Sequence, residues 1–260
     1  MLSYQHSYHA GNLADLHKHA LLSWALEYMC AKDKPLTYFE THAGRGLYDL
    51  GSDEALKTGE AAAGIAVAER MGWFGPETAF GRVLAAVRAD HGATAYPGSP
   101  LLARHILRET DQMRLFELHP QEHAALRDGM GAGAIVEKAD GLDAVIAASP
   151  PDPARGFLLV DPSYEVKPEY DLVPQFLARV HKRWGIGVKM LWYPILTDAR
   201  HLGMVEAIES RIDGVFRHEV GFPPAREGHR MVGSGVIMVN APYGIADEAA
   251  RLGALFDRLG

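Results

Sequence analysis

The chain has 260 residues, long enough for one large α/β domain with room for a small inserted subdomain. Its 48% hydrophobic and 23% charged residues are ordinary for a globular enzyme. A net charge of -7 argues against a surface that is basic throughout, and the single cysteine, Cys30, excludes an intramolecular disulfide and argues against a cysteine-based zinc site.

Read from the N-terminus, Met1-Leu2-Ser3-Tyr4-Gln5-His6 lacks an apolar core and does not resemble a signal peptide. The longest apolar runs, Phe157 to Val160 and Val236 to Val239, are too short to span a bilayer, so a soluble cytoplasmic protein without membrane partners is expected. Gly11-Asn12-Leu13-Ala14-Asp15-Leu16-His17-Lys18-His19 offers Asn12 as a helix cap with Asp15, Lys18 and His19 on neighbouring positions. Such a charged run can equally be a solvated helix face. His6, His9, His17 and His19 suggest a metal site, but no H-E-x-x-H or comparable ligand spacing accompanies them, so no metal is expected.

Leu36 to Glu40 reads as a strand running into a glycine loop, Thr41-His42-Ala43-Gly44-Arg45-Gly46. Residues 50–95 then break the pattern with Ala-rich helical stretches and no convincing strand, and are expected to be a helical insertion. The alternation resumes after Tyr96-Pro97-Gly98-Ser99-Pro100. Strands are expected at Arg114–Leu118, Ala134–Lys138, Gly156–Val160, Gly187–Trp192, Phe216–Val220 and Val236–Asn240. Helices are expected near 101–110, 121–129, 142–148, 170–183, 199–211 and 246–259. Alternating elements imply right-handed crossovers and a largely parallel sheet covered on both faces, here of seven strands. Ligands of such sheets bind beyond the carboxyl ends of the strands. Four strand candidates finish on polar residues at that edge: Glu40 with His42, Glu117, Asp140 and Asp161.

The chemistry concentrates at Asp161-Pro162-Ser163-Tyr164. An exocyclic base amine is a poor nucleophile because its lone pair is delocalised into the ring. Two acceptors aimed at its N–H groups draw the nitrogen towards tetrahedral geometry, and the Asp161 carboxylate and Pro162 carbonyl can supply them. Proline fixes φ and donates no competing hydrogen bond. The Tyr164 ring is expected to stack on an unpaired base. Because the amine becomes cationic as it is methylated, a carboxylate with a pKa near ~3.9 is basic enough to take its proton. Taken alone, Asp-Pro more often merely ends a strand in a turn.

The loop at Gly44 lacks the G-x-G-x-x-G spacing that a pyrophosphate needs. S-adenosylmethionine has no phosphate, and a shorter glycine turn suffices beside its methionine moiety. Glu117 is placed to accept from two ribose hydroxyls and Asp140 from an adenine amine.

Together, Tyr4, His6, Gly11-Asn12, Ala14-Asp15, Lys18-His19, Thr41-His42-Ala43-Gly44, Tyr96-Pro97-Gly98-Ser99-Pro100, Glu117-Leu118-His119-Pro120, Lys138-Ala139-Asp140-Gly141, Asp161-Pro162 with Tyr164-Glu165, and Leu191-Trp192-Tyr193-Pro194 resemble the RlmJ-type rRNA methyltransferases over residues 1 to about 245. The resemblance implies a Rossmann-like class I S-adenosylmethionine-dependent fold and methylation of adenine N6 in 23S ribosomal RNA, on protein-free RNA or an early assembly intermediate. It implies cofactor contacts at His19, His42, Ser99, Glu117, Asp140 and Gly141, with Gly44 and Asp161 bordering the cofactor, and Asp161 as the catalytic carboxylate. It further implies that residues 1–20 fold over the site, with Tyr4, His6 and Lys18 holding the target base or its phosphate. The family pattern is Asp-Pro-Pro-Tyr; Ser163 stands in the third place, which bears on loop rigidity rather than on the two acceptors. Alternatives left open are a DNA adenine-N6 or cytosine-N4 methyltransferase and a non-catalytic RNA-binding assembly factor. Nothing calls for a second chain, and a monomer is expected.

Overall fold

The computed structural model describes residues 5–166, 168–226 and 228–259. A single 3-10 turn, His6–Tyr8, precedes the helix α1 (Leu13–Cys30). Asn12 caps that helix: its Oδ1 accepts from the Asp15 amide at 2.8 Å, while the Asp15 carboxylate accepts from the Gly11 amide at 2.9 Å. Every side chain from Leu13 to Ser23 is buried, so α1 runs through the protein instead of lying on it.

The chain continues through β1 (Thr37–Glu40), β2 (Leu47–Asp49), α2 (Asp53–Thr58), α3 (Glu60–Ala63), α4 (Ile65–Arg70), α5 (Ala79–His91), β3 (Ala95–Pro97) and α6 (Ser99–Ile106). β2 and β3 pair antiparallel in a ribbon of their own, with the helices α2 to α5 between them. Sequence reading sees no strand here, because three residues are too few to display an alternating pattern.

Next come β4 (Gln112–Phe116), α7 (Pro120–Met130), β5 (Ile135–Glu137), α8 (Gly141–Ala148), β6 (Gly156–Val160), α9 (Glu169–Arg183), β7 (Val188–Leu196), α10 (His201–Glu209), β8 (Phe216–Gly221), β9 (Met231–Val239) and α11 (Ile245–Phe256). Seven strands form one sheet in the order β5-β4-β1-β6-β7-β9-β8. The first five are parallel to one another, and β9 runs antiparallel between β7 and β8. This is the mostly parallel, Rossmann-like sheet expected from the alternation of elements.

The chain winds outward from β1 to β4 and β5, then crosses to start the other half at β6. The order therefore reverses between β1 and β6, which marks the ligand crevice of such sheets. β1 and β6 are buried at every position, as strands covered on both faces should be. Two apolar clusters fill the faces, one around α1 and α11 and the other around α9 and α10. Among the described residues no helix is long and apolar enough to cross a membrane.

Candidate active site

Register fixes the strand ends relative to one another. Glu40, last in β1, sits level with Leu115 of β4 and Leu159 of β6. Glu117 follows β4, where its amide still donates to the Glu137 carbonyl of β5 at 3.1 Å. Asp140 follows β5 and Asp161 follows β6. The four carboxyl groups thus share one edge of the sheet, and His42 lies within electrostatic reach of both Asp161 and Asp140.

Asp161 is held from above by α1. Lys18 Nζ donates to Asp161 Oδ2 at 2.6 Å and lies 3.1 Å from Asp15 Oδ1. His6 Nε2 meets the other Asp15 oxygen at 2.9 Å. Burial pushes the Lys18 ammonium down, but Asp161 and Asp15 outweigh it and hold the group charged, above its ordinary range. Burial pushes the Asp15 carboxyl up, and His6 and Lys18 more than reverse it, leaving it well below the usual carboxylate range. The ammonium also stands 5.4 Å from the centre of the Trp192 ring. No described residue bonds Asp161 Oδ1, which leaves one oxygen of that carboxylate open. Asp15 and Trp192 lie within the motifs but are members of this group to which the sequence assigns no site role. Their signals are the i, i+3 spacing to Lys18 and the polar tip of Trp192 within an apolar strand.

Glu40 forms a second buried group. Ser99 Oγ and Tyr38 OH both bond its carboxyl, the latter at 2.9 Å. Burial pushes that carboxyl up to about 8, against the hydrogen bonds from Ser99 and Tyr38. It is therefore protonated in the folded protein where an unfolded chain would ionise it. Proton uptake on folding makes the protein less stable as pH rises from the unfolded value near 4.5 to about 8. Each unit across that window costs up to about 1.4 kcal/mol. Glu40→Gln, which keeps the shape without the ionisation, is expected to flatten the fall in melting temperature between pH 6 and 8. A variant melting curve that falls as steeply as that of the natural protein would contradict this.

On the other side of β1, Glu117 accepts from the Gly44 amide at 2.8 Å and from the His119 amide at 2.7 Å. Burial raises its pKa, and those amides oppose the rise. Glu117 thus clamps the glycine loop to the end of β4 and keeps lone pairs for a further donor. Gly44 has φ +63°, and a Cβ there would meet the Tyr48 hydroxyl at 2.5 Å. Gly141 has no room for a side chain either, since a Cβ would lie 2.0 Å from the Thr41 carbonyl oxygen. Asp140 caps α8, its Oδ1 accepting from the Leu142 amide at 2.9 Å, and is otherwise exposed. His42 is bonded to Thr41 Oγ1 at 2.8 Å. His19 Nδ1 meets Tyr96 OH at 3.0 Å, while its Nε2 is buried with no partner among the described residues. Burial lowers the His19 pKa to about 3, so the imidazole is neutral.

Two of the sequence-derived residues stand apart. Tyr4 lies outside the described residues. Tyr164 is placed differently from expectation: its backbone is left-handed (φ +56°), and the ring lies in the core under the strand ends, 4.7 Å from the Tyr170 ring. Its hydroxyl donates to the Trp192 carbonyl at 3.1 Å. With 7% of its surface exposed, the ring offers no face on which a base could stack, and it supports the floor beneath Trp192 instead. Among the described residues no cluster of His, Cys, Asp and Glu could hold a metal ion.

A glycine turn with no room for a Cβ, acidic residues at successive strand ends and an orphaned buried imidazole nitrogen together fit a nucleoside-type cofactor without phosphate. The family described as ribosomal RNA large subunit methyltransferase D, RlmJ, matches residues 33–259. The chain belongs to the RlmJ family. Ribosomal RNA large subunit methyltransferase J of Escherichia coli K12 is 39% identical over 95% of this chain and 90% of its own length. The protein of the same name from Haemophilus influenzae is 35% identical over 94% and 88%. A crystal structure of a Legionella pneumophila protein, 31% identical, superposes with a TM-score of 0.87 over 96% of this chain and 94% of that one. RlmJ membership makes the chain a methyltransferase, on the Rossmann-like fold of the S-adenosylmethionine-dependent enzymes.

Proposed function

We propose that this RlmJ-family enzyme transfers a methyl group from S-adenosylmethionine to the N6 amine of an unpaired or flipped-out adenine in 23S ribosomal RNA. The observation that carries the reading is the Asp161-Pro162 strand end, where one carboxylate oxygen is fixed by Lys18 and the other is bonded by none of the described residues. The open oxygen accepts one N–H of the amine and the Pro162 carbonyl accepts the other, turning the nitrogen lone pair out of the base plane. Lys18 fixes the rotamer of Asp161, so the acceptor is oriented before substrate arrives. The proton displaced from the methylated nitrogen passes to Asp161.

When bound, S-adenosylmethionine supplies an electrophilic methyl group on a sulfonium. Glu117 would accept from its ribose hydroxyls, Asp140 and Gly141 would border its adenine, and Gly44, His42, Ser99 and His19 would line the methionine side. The 3-10 turn bearing His6 and the start of α1 cover the site, as the contacts of His6 with Asp15 and of Lys18 with Asp161 support. Residues 50–95 act as an inserted helical subdomain beside it. No resident metal takes part, the product is S-adenosylhomocysteine, and a single chain carries the whole site. The substrate is RNA free of ribosomal proteins or an early assembly intermediate.

Transfer of labelled methyl from S-adenosylmethionine to protein-free 23S rRNA, followed by nucleoside analysis, tests the reading. N6-methyladenosine in the RNA is expected. Labelling of duplex DNA alone would replace it with a DNA amine methyltransferase, and cofactor binding without transfer to either would leave a non-catalytic RNA-binding factor. Glu117→Ala is expected to weaken S-adenosylmethionine binding at least about tenfold in a calorimetric titration, since a buried charge-assisted bond is worth roughly 1.5–3 kcal/mol. Unchanged affinity would remove Glu117 from the cofactor site.

A further inference from the structure

A cleft of about 270 Å³ lies away from the strand ends, between the start of α1, the short helices α3 and α4, and the loop that follows β8. Its lining is mostly apolar and includes Leu13, Val67, Pro223 and Pro224. Part of it is polar. Glu60, only 2% exposed, is bonded by His9 Nδ1 at 2.9 Å and by Asn12 Nδ2 at 3.0 Å. His229 turns Nε2 to within 3.7 Å of the same carboxylate, and its Nδ1 is buried with no partner among the described residues. An orphaned imidazole nitrogen beside a buried carboxylate, in a mostly apolar slot, suits a flat ligand whose edge carries both a donor and an acceptor.

The cleft is linked to the candidate active site through the start of α1. Asn12 bonds Glu60 and caps α1, whose Asp15 and Lys18 lead to Asp161. Six residues of helix separate Asn12 from Lys18, about 9 Å at 1.5 Å each, which is within reach of a neighbouring nucleotide on an unstacked strand. The 3-10 turn bridges the two places, with His6 on Asp15 and His9 on Glu60. The buried Glu60 carboxylate repels a phosphate and welcomes an amine, so a nucleotide would enter base first. Exposed Arg226 and Arg230, on the loop that forms the rim, suit the backbone left outside.

We propose that this cleft receives the unpaired base of a nucleotide next to the methylated one, and that it selects a base with an exocyclic amine for Glu60. The inference rests on the RNA-methylation reading and adds a determinant of sequence preference to it. Aliphatic walls grip the base faces, Glu60 accepts from the amine, and His229 Nδ1 bonds a ring nitrogen.

The test uses the full chain, a 23S rRNA transcript and two variants. Ala63→Phe narrows the slot while keeping every residue of the Glu60 cluster, and His229→Ala removes the unfilled nitrogen from a surface loop. Each is expected to raise KM for the transcript about tenfold, the scale of one lost base contact, with cofactor Kd unchanged. A transcript with an abasic site beside the target should cost the natural enzyme a similar factor and cost Ala63→Phe little more. Natural KM values in both variants, or an abasic loss undiminished in Ala63→Phe, would overturn the proposal. Should Ala63→Phe fail to fold, His229→Ala decides. If the natural enzyme methylates no RNA, the RNA reading falls and the cleft with it; if only the variants behave as the natural enzyme does, the cleft alone falls.

Discussion

Asp161→Ala should lower methyl transfer by about 10²–10⁴ while leaving S-adenosylmethionine affinity nearly intact. In the proposed reaction the carboxylate does two things at once: it orients the amine through its open oxygen and takes the proton that the nitrogen sheds. Neither acts before the base arrives, so the loss belongs in kcat and not in cofactor binding. Asp161→Asn sharpens the point. Its amide keeps the shape and an oxygen acceptor but cannot take a proton, and its NH2 group would face the Lys18 ammonium if the oxygen turned to the substrate. Single-turnover transfer to 23S rRNA, alongside cofactor titration of each variant, provides the measurement. Transfer within a few-fold of the natural rate would place the chemistry elsewhere, and a collapse of cofactor affinity would exchange the roles given to Asp161 and Glu117.

Lys18→Met carries the largest expected change in stability, a loss of roughly 3–5 kcal/mol. The ammonium sits between two carboxylates, with Asp15 almost fully buried and Asp161 largely so. Removing it leaves like charges facing each other with little water to screen them. The sign of the pH dependence follows from Asp15. In the natural protein its pKa is depressed, so the stabilisation is present above the unfolded value near 3.8 and is lost as pH falls through the lower folded value. Without Lys18, burial is opposed by His6 and the Gly11 amide and the carboxyl moves upward, so the variant should regain stability on acidification from pH 8 to 5 relative to the natural protein. Denaturant unfolding at both pH values measures this, and Asp15→Asn in the Lys18→Met background should recover part of the loss. A deficit below about 1 kcal/mol, or one that grows on acidification, would show that the charges are solvated.

Much of this architecture is legible in the chain itself. The run from Gly156 to Val160 is apolar at every position because β6 is covered on both faces, and its abrupt end at Asp161-Pro162 marks the crevice edge. Asn12 is legible as a cap from residue type alone. The length of α1 is harder to read. A helix buried on all sides lacks the polar stripe that gives amphipathic helices their period, and its interior charges imitate a wet face. β7 and β9 extend beyond the expected strands, to Leu196 and back to Met231, since pairing of two long neighbours sustains residues of weak individual preference.

The site divides along the same line. Glu117, Asp140 and Asp161 are visible because strand ends are visible, and parallel pairing brings them to one edge. Partnerships across the fold are not. No local pattern says that Lys18 will span 143 positions to Asp161, or that Ser99 will close on Glu40. Tyr164 shows the opposite failure: a motif suggests a role, but a left-handed backbone turns the ring into the core.

Three successive residues of α1 face three different neighbourhoods. His17 bonds Ser234 and His218 in the β8–β9 hairpin, Lys18 bonds the end of β6, and His19 bonds Tyr96 beside the insertion. Most helices drift freely along one flank and so accumulate change without harm. From Leu13 to Ser23 this one is hemmed in all round, like an axle inside its bearings, and divergence within the family has to find its freedom in other segments.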